Sequence, residues 1–267
     1  MSRDDPYRFE ASTRTAQELG YVDGLDRLLK DSSYSQVERM MNFALYTPRQ
    51  DLARFLVKHE IFKRVLDVQG SVVECGVFFG GGLMTWAQLS AIYEPVNHQR
   101  RVIGFDTFEG FPDVTDADSG ATSAEAHPGG LAIDSHAEIT RAAELFDMNR
   151  SIGHIPKVEL VRGDATQTIP RYVDAHPHLL ISLLYLDFDI YDPTVVALEQ
   201  LLPRMPKGAV IAFDELNLPD WPGETVALRE VIDIQGLKLE RLPFGSTICF
   251  AQIDGPVRGA TRSQPVP

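Results

Sequence analysis

The residues best equipped for chemistry are carboxylates that stand where apolar runs stop. Residues 183–186, Leu-Leu-Tyr-Leu, lead into Asp187-Phe188-Asp189, and residues 209–213, Ala-Val-Ile-Ala-Phe, lead into Asp214-Glu215. Such runs read as buried strands, and neighbouring strands of an open parallel sheet deliver their carboxyl ends to one edge, where these sheets bind ligands. Three or four acidic side chains are therefore expected at one rim. Like charges that close repel unless a cation or a shared proton neutralises them. A hard divalent ion with oxygen ligands is the simplest neutraliser.

The elements that must position this rim follow from the pattern on either side. Residues 71–75 read as a strand, followed by a turn with Gly76, Gly80, Gly81 and Gly82 and a helix through Tyr93. Strand, glycine-rich turn and helix let backbone approach a ligand and aim a helix N-terminus at it. The turn is not GxGxxG and no GK[ST] follows, so pyrophosphate is not its natural ligand. Further strands are expected over 101–105, 157–161, 179–186 and 209–213, with Asp106 and Asp164 as carboxylates at two more strand ends. Asp106 suits ribose hydroxyls or a loop cap, and Asp164 suits a base amino group or a helix cap. Asp192 before Pro193 reads as a helix N-cap, which leaves Asp187 and Asp189 as the exposed pair. Strands over 237–242 and 247–253, joined at hairpin length, close the sheet. Five βα units and a hairpin make one α/β domain over 67–254. Residues 1–66 read as an N-terminal arm and helical extension that covers a sheet edge or makes an oligomer interface. Residues 109–136, rich in Gly, Pro, Asp and Ser, are expected to form a lid, and residues 255–267 a flexible tail.

Bulk properties bound the function classes. The chain has 267 residues, 44% of them hydrophobic, which is ample for one sizeable core. Its formal charge of −13 argues against a broad electrostatic grip on nucleic acid or an anionic membrane. Cys75 and Cys249, both in apolar runs, read as buried small hydrophobes rather than a disulfide. No apolar run approaches a membrane span and no leader is evident, so a soluble cytoplasmic protein is expected. None of the seven histidines is placed by a motif.

Taken in order, VECGVFFGGG, FDTFEGFP, RGD, YLDFDIYDPT and PKGAVIAFDE resemble the macrocin O-methyltransferase family, over about residues 43–230. Members of that family are metal-dependent sugar O-methyltransferases of antibiotic biosynthesis that use S-adenosylmethionine. The resemblance implies a class I methyltransferase fold, a Rossmann-like seven-stranded α/β sheet with an antiparallel last strand. It implies that Glu74 and Gly76, with Gly80 and Gly81, hold the methionine portion of the cofactor. Asp106, with Phe108 of the same segment, would lie at the ribose and Asp164 at adenine. Asp187, Asp214 and Glu215 would hold Mg²⁺ or another divalent cation, Glu215 standing where the family has aspartate. Phe188 stands where the family has glycine and is expected to alter what packs against the sugar. Asp187 is the first choice for the base that takes the acceptor proton, with Asp189 and Glu224 in reserve. The implied acceptor is a small-molecule sugar, a TDP-deoxyhexose, for whose diphosphate Arg49, Arg100, Arg101 and Arg171 are available. Trp221 follows the metal strand and suits either the acceptor pocket or ordinary packing. Two other readings stay open, a catechol or vicinal-diol O-methyltransferase and a non-catalytic cofactor-binding partner. A nicotinamide oxidoreductase is disfavoured by the missing GxGxxG.

Overall fold

The computed structural model describes residues 15–257 except Ser119, Thr122 and Ser246. The expected arm at 1–10 and the last ten residues of the expected tail lie outside that set. Two compact units are resolved, one ending at Arg54 and one beginning at Phe55.

The first unit is helical. Capping boxes start both of its first helices: Thr15 with Glu18 opens α1 (Ala16–Asp31) and Ser35 with Glu38 opens α2 (Gln36–Met41). A 3₁₀ turn (Phe43–Leu45) follows, and α3 (Arg49–Lys63) begins in this unit. The apolar positions that set the helical period, Val37, Met40, Met41 and Leu45, are all exposed, as is Phe43.

The second unit is a seven-stranded sheet in the order β3-β2-β1-β4-β5-β7-β6. Its elements are β1 (Ser71–Cys75), α4 (Gly81–Tyr93), β2 (Val102–Asp106), α5 (His136–Met148), β3 (Val158–Arg162), α6 (Ala165–Ala175), β4 (Ile181–Leu186), α7 (Tyr191–Leu201), β5 (Val210–Phe213), α8 (Gly223–Val231), β6 (Glu240–Arg241) and β7 (Cys249–Gln252). The first five strands are parallel, and β7 runs antiparallel to β5 and β6. This is the class I methyltransferase arrangement. The strand expected over 237–242 shrinks to two paired residues at the sheet edge. Short, charged edges resist pairing with a second chain.

Period two divides the core. Val73, Cys75, Ile103, Phe105, Leu184, Leu186, Ile211 and Phe213 face α6, α7 and α8. Their neighbours Val72, Val102, Leu183, Tyr185, Val210 and Ala212 face Val57, Ile61 and Phe62 of α3 and Leu83 and Trp86 of α4. Both cysteines are free thiols.

Arg100 is not available to a substrate diphosphate. It is buried and donates to the carbonyls of Val65, Val68 and Gly70 and to Ser182, with Glu94 Oε1 2.6 Å from its Nε. A guanidinium has donors enough to satisfy several buried carbonyls where the chain enters the sheet. Arg101 pairs with Glu159 at 3.4 Å, while Arg49 and Arg171 are exposed.

Lys157 is also buried, its Nζ donating to Asn97 O at 2.7 Å. Burial lowers its pKa from 10.5 to about 8, against the pull of Glu94. Between those values the unfolded chain holds a proton that the folded chain has released, so this group's contribution to stability rises with pH. Urea titrations at pH values on either side of this window should show wild type gaining stability relative to Lys157→Met as pH rises. A difference that stays constant with pH would contradict the burial of a titrating ammonium.

Candidate active site

Register brings the strand ends level. Cys75 pairs with Leu186 and Leu186 with Phe213, so the next residues, Gly76, Asp187 and Asp214, share the carboxyl edge. Backbone bonds continue the ladder one step past the strands, Asp187 N–H to Cys75 O at 2.8 Å and Asp214 N–H to Leu186 O at 3.0 Å. Gly76 has φ 88°, and a Cβ there would lie 1.8 Å from the carbonyl oxygen of Asp187. Only glycine lets these two loops approach so closely.

Left-handed non-glycine residues follow each of these strands closely: Phe78 after β1, Phe108 after β2, Asp189 after β4 and Asn217 after β5. Strained backbone of this kind clusters at functional sites, where surrounding structure holds it in place.

On the glycine-rich side, Gly80 is left-handed and caps α4, whose first residue is Gly81. A Cβ on Gly81 would meet nothing within 4 Å, so the helix start is open. Orphan N–H groups at such a start favour anions. Glu74 does not reach this opening. It is buried, accepts from Trp86 Nε1, and lies 3.6 Å from Lys58 Nζ. Asp106 accepts from the backbone N–H groups of Val77 (2.7 Å), Phe78 (2.9 Å) and Phe108 (2.6 Å), tying the β1 and β2 loops together. Three of a carboxylate's four acceptor positions are thus filled, and one is left for a ligand. Phe108 is buried, its ring edge-on to His136 at 5.0 Å. Asp164 caps α6 through Thr166 N–H at 2.9 Å and also accepts from that residue's hydroxyl.

On the acidic side, one carboxylate oxygen from each of Asp187, Asp214 and Glu215 lies within 4.8 Å of the others. Asp187 is half-buried and Asp214 fully buried, its Oδ1 accepting from Tyr185 OH. Glu215 Oε2 is buried with no hydrogen-bond partner among the described residues. The expectation of an exposed Asp187–Asp189 pair fails at Asp189, which its left-handed backbone turns inward to 8% exposure. Glu224 is not a rim residue either. It is fully buried, and its two oxygens accept from Phe188 N–H (3.2 Å) and Glu215 N–H (3.3 Å), pinning the β4 and β5 loops to α8. Burial first, then neighbouring carboxylates, pushes the carboxyls of Asp189, Glu215 and Glu224 well above their usual range. Three hard oxygens at this spacing, on residues that include a Glu215 with an oxygen unpartnered among the described residues, fit a divalent cation.

Phe188 packs into the core. Asp192 is not the cap of α7. That helix starts at Tyr191, and its first N–H is taken at 2.9 Å by Asp118, from a short 3₁₀ turn within the 109–136 segment. Asp118 is buried and also accepts from Thr115 N–H and Oγ1 at 3.0 Å each. A Cβ on Gly223 would lie 2.3 Å from Asp118 Oδ1, so α8 closes over the same point. The segment is pinched at its base, where Phe111 accepts from Gly129 N–H and donates to Gly130 O, and Phe111 meets half-buried Trp221 edge-on at 5.7 Å. Sequence reasoning missed Asp118, one aspartate among several in an acidic loop, and Lys58, a lysine in an ordinary helix.

The profile of the macrocin-O-methyltransferase (TylF) family matches residues 51–236. The chain belongs to the macrocin O-methyltransferase family. Its solved likenesses within the same fold include the calicheamicin methyltransferase CalS11, with TM-score 0.86 and 34% identity over 94% of this chain and 98% of that one. An apo structure of CalS11, described as a TDP-rhamnose 3′-O-methyltransferase of calicheamicin biosynthesis, gives TM-score 0.78 and 33% identity over 93% and 98%. A curated relative from Streptomyces olivaceus, 8-demethyl-8-(2,3-dimethoxy-α-L-rhamnosyl)-tetracenomycin-C 4′-O-methyltransferase, is 33% identical over 55% of this chain. The chain spans about half the length of that relative, 53%. Among the described residues, no helix is long and apolar enough to cross a membrane.

If Asp118 caps α7 across the fold, Asp118→Ala strands the part-buried N–H groups of Tyr191 and Thr115 and should lower stability by about 1–3 kcal/mol in denaturant titration. Asp118→Asn keeps an acceptor and should recover most of the loss. Equal losses in both variants would contradict the cap.

Proposed function

We propose that this chain transfers a methyl group from S-adenosylmethionine to a hydroxyl of a nucleotide-linked deoxysugar, a TDP-deoxyhexose, in antibiotic biosynthesis, with a divalent cation at the acidic rim. The observation that carries this reading is the meeting, at one sheet edge, of an open glycine-rich helix start and the Asp187–Asp214–Glu215 cluster. Likeness over nearly the whole chain to a TDP-rhamnose 3′-O-methyltransferase supports the sugar class.

S-adenosylmethionine supplies a sulfonium-bound methyl group that is already activated for displacement. A cation held by Asp187, Asp214 and Glu215, Mg²⁺ by the hardness of the donors, would acidify a sugar hydroxyl beside it. The transfer is an in-line displacement, so the chain's own residues work chiefly by positioning. The start of α4 at Gly80 and Gly81 receives the methionine carboxylate, with Gly76 leaving room beneath it and Glu74 supporting the loop. Asp106 keeps one acceptor position for a ribose hydroxyl, Phe108 fixes the loop beside it, and Asp164 borders the adenine end. Asp187, half-buried beside the fully buried Asp214, takes the acceptor proton. Asp189 buttresses that cluster, and Glu224 holds the two loops that carry it. The exposed apolar residues Val37, Met40, Met41, Phe43 and Leu45 supply a self-association surface for a homo-oligomer.

Calorimetry with S-adenosylmethionine, with and without Mg²⁺, followed by a methyl-transfer assay on TDP-rhamnose, tests this directly. Asp187→Ala should bind cofactor as wild type does and lose turnover by about 10²- to 10⁴-fold. Wild type that turns over a catechol and ignores the sugar nucleotide would overturn the acceptor class. Sedimentation should find an oligomer that Met40→Glu/Met41→Glu dissociates. A monomeric wild type would contradict the interface.

A further inference from the structure

The buried ammonium of Lys58 has no part in the chemistry described above. It is 4% exposed, and its Nζ has no hydrogen-bond partner among the described residues. What surrounds it is specific. Glu74 Oε2 lies 3.6 Å away, the Tyr185 ring centroid 3.4 Å, and the Trp86 ring centroid 4.7 Å. Glu74 and Tyr185 are register partners on β1 and β4, so their side chains leave the sheet on one face, where α3 and α4 cover them. Trp86 reaches the same carboxylate through its indole N–H. A Cβ on Gly82 would come 2.3 Å from Glu74 Oε1 and 2.9 Å from Lys58 Nζ, so the first turn of α4 leaves room for this ion pair only because it carries glycine there.

A buried ion pair is a poor way to stabilise a core, since desolvation offsets its attraction and apolar residues of the same size do as well. Its use must lie in what it touches. The ring beneath the ammonium belongs to Tyr185, whose hydroxyl donates to Oδ1 of Asp214. Asp214 and Glu74 are each 1% exposed, and Lys58 touches the first through the Tyr185 ring and the second directly. A cation over a π face holds the ring in place. It also offsets the negative charge of Glu74.

We propose that Lys58 is a positioning residue for the acidic cluster: it pins Tyr185, and through the Tyr185 hydroxyl it fixes the Asp214 carboxylate. The same ammonium anchors Glu74 beneath the glycine-rich helix start, so one buried charge braces both halves of the site. This rests on the reading of Asp187, Asp214 and Glu215 as a cation site. Partners that orient a metal ligand typically contribute about 10- to 100-fold in affinity.

The test is Mn²⁺ titration of the full chain, followed by loss of the free-ion electron paramagnetic signal, in wild type, Lys58→Met and Tyr185→Phe. Circular dichroism confirms that each variant is folded. Both variants should bind Mn²⁺ about 10- to 100-fold more weakly than wild type. Tyr185→Phe keeps the ring and removes only the hydroxyl, so it tests the link from ring to Asp214, and Lys58→Gln takes the place of Lys58→Met if that variant does not fold. A purely structural role for the pair would lower thermal stability and leave Mn²⁺ affinity of the folded variants unchanged, and that result overturns the proposal. Wild type that binds no Mn²⁺ would instead sink the cation site itself, and this proposal with it.

Discussion

Repulsion among carboxylates at the carboxyl edge of the sheet is the constraint on which this molecule depends. Parallel register sets Asp187 and Asp214 side by side, and the chain adds Glu215 beside them and Asp189 and Glu224 behind. Burial makes each charge harder to hold than it would be in water. Two neutralisers are open to such a cluster, bound protons or a cation. The Glu215 oxygen without a partner among the described residues and the close spacing of three hard donors suit a cation. Loops that crowd like charges together need other parts of the fold to hold them there.

That support comes from a second set of carboxylates whose partners are backbone amides. Asp106 gathers three of them, Glu224 two, and Asp118 caps α7 from a distant loop. A carboxylate accepting several N–H bonds is satisfied and rigid, so it shapes the chain around it. The acidic residues of this rim therefore divide by their contacts. Those bonded to backbone build the loops, and those facing one another are left for a ligand. The left-handed residues Phe78, Phe108, Asp189 and Asn217 mark where the loops are bent to achieve this.

Much of this was legible in the sequence, for a physical reason. A buried parallel strand is a short apolar run, and its end is marked by the first residue that cannot be buried cheaply, so Asp106, Asp187 and Asp214 announce the edge by position alone. The glycine-rich turn and the closing hairpin are equally local signals. What was not legible depends on contacts between distant positions. Asp192 has the sequence of an N-cap, but Asp118 takes the N–H at the head of α7. Glu224 looks like an ordinary acidic residue in a first helical turn, yet α8 carries it into the interior. Arg100 looks like a ligand for phosphate and is spent on backbone carbonyls. Lys58 carries no local sign that Glu74 and Tyr185 will close around it.

The cation at the rim is the claim on which the chemistry turns. Crystals grown with Mn²⁺ and measured at its absorption edge would test it most directly. A single anomalous peak bonded to Asp187, Asp214 and Glu215 at about 2.0–2.2 Å is the expected result. No peak at this edge in well-ordered crystals, with the carboxylates still in mutual contact, would mean that shared protons neutralise the cluster and that it is not a metal centre.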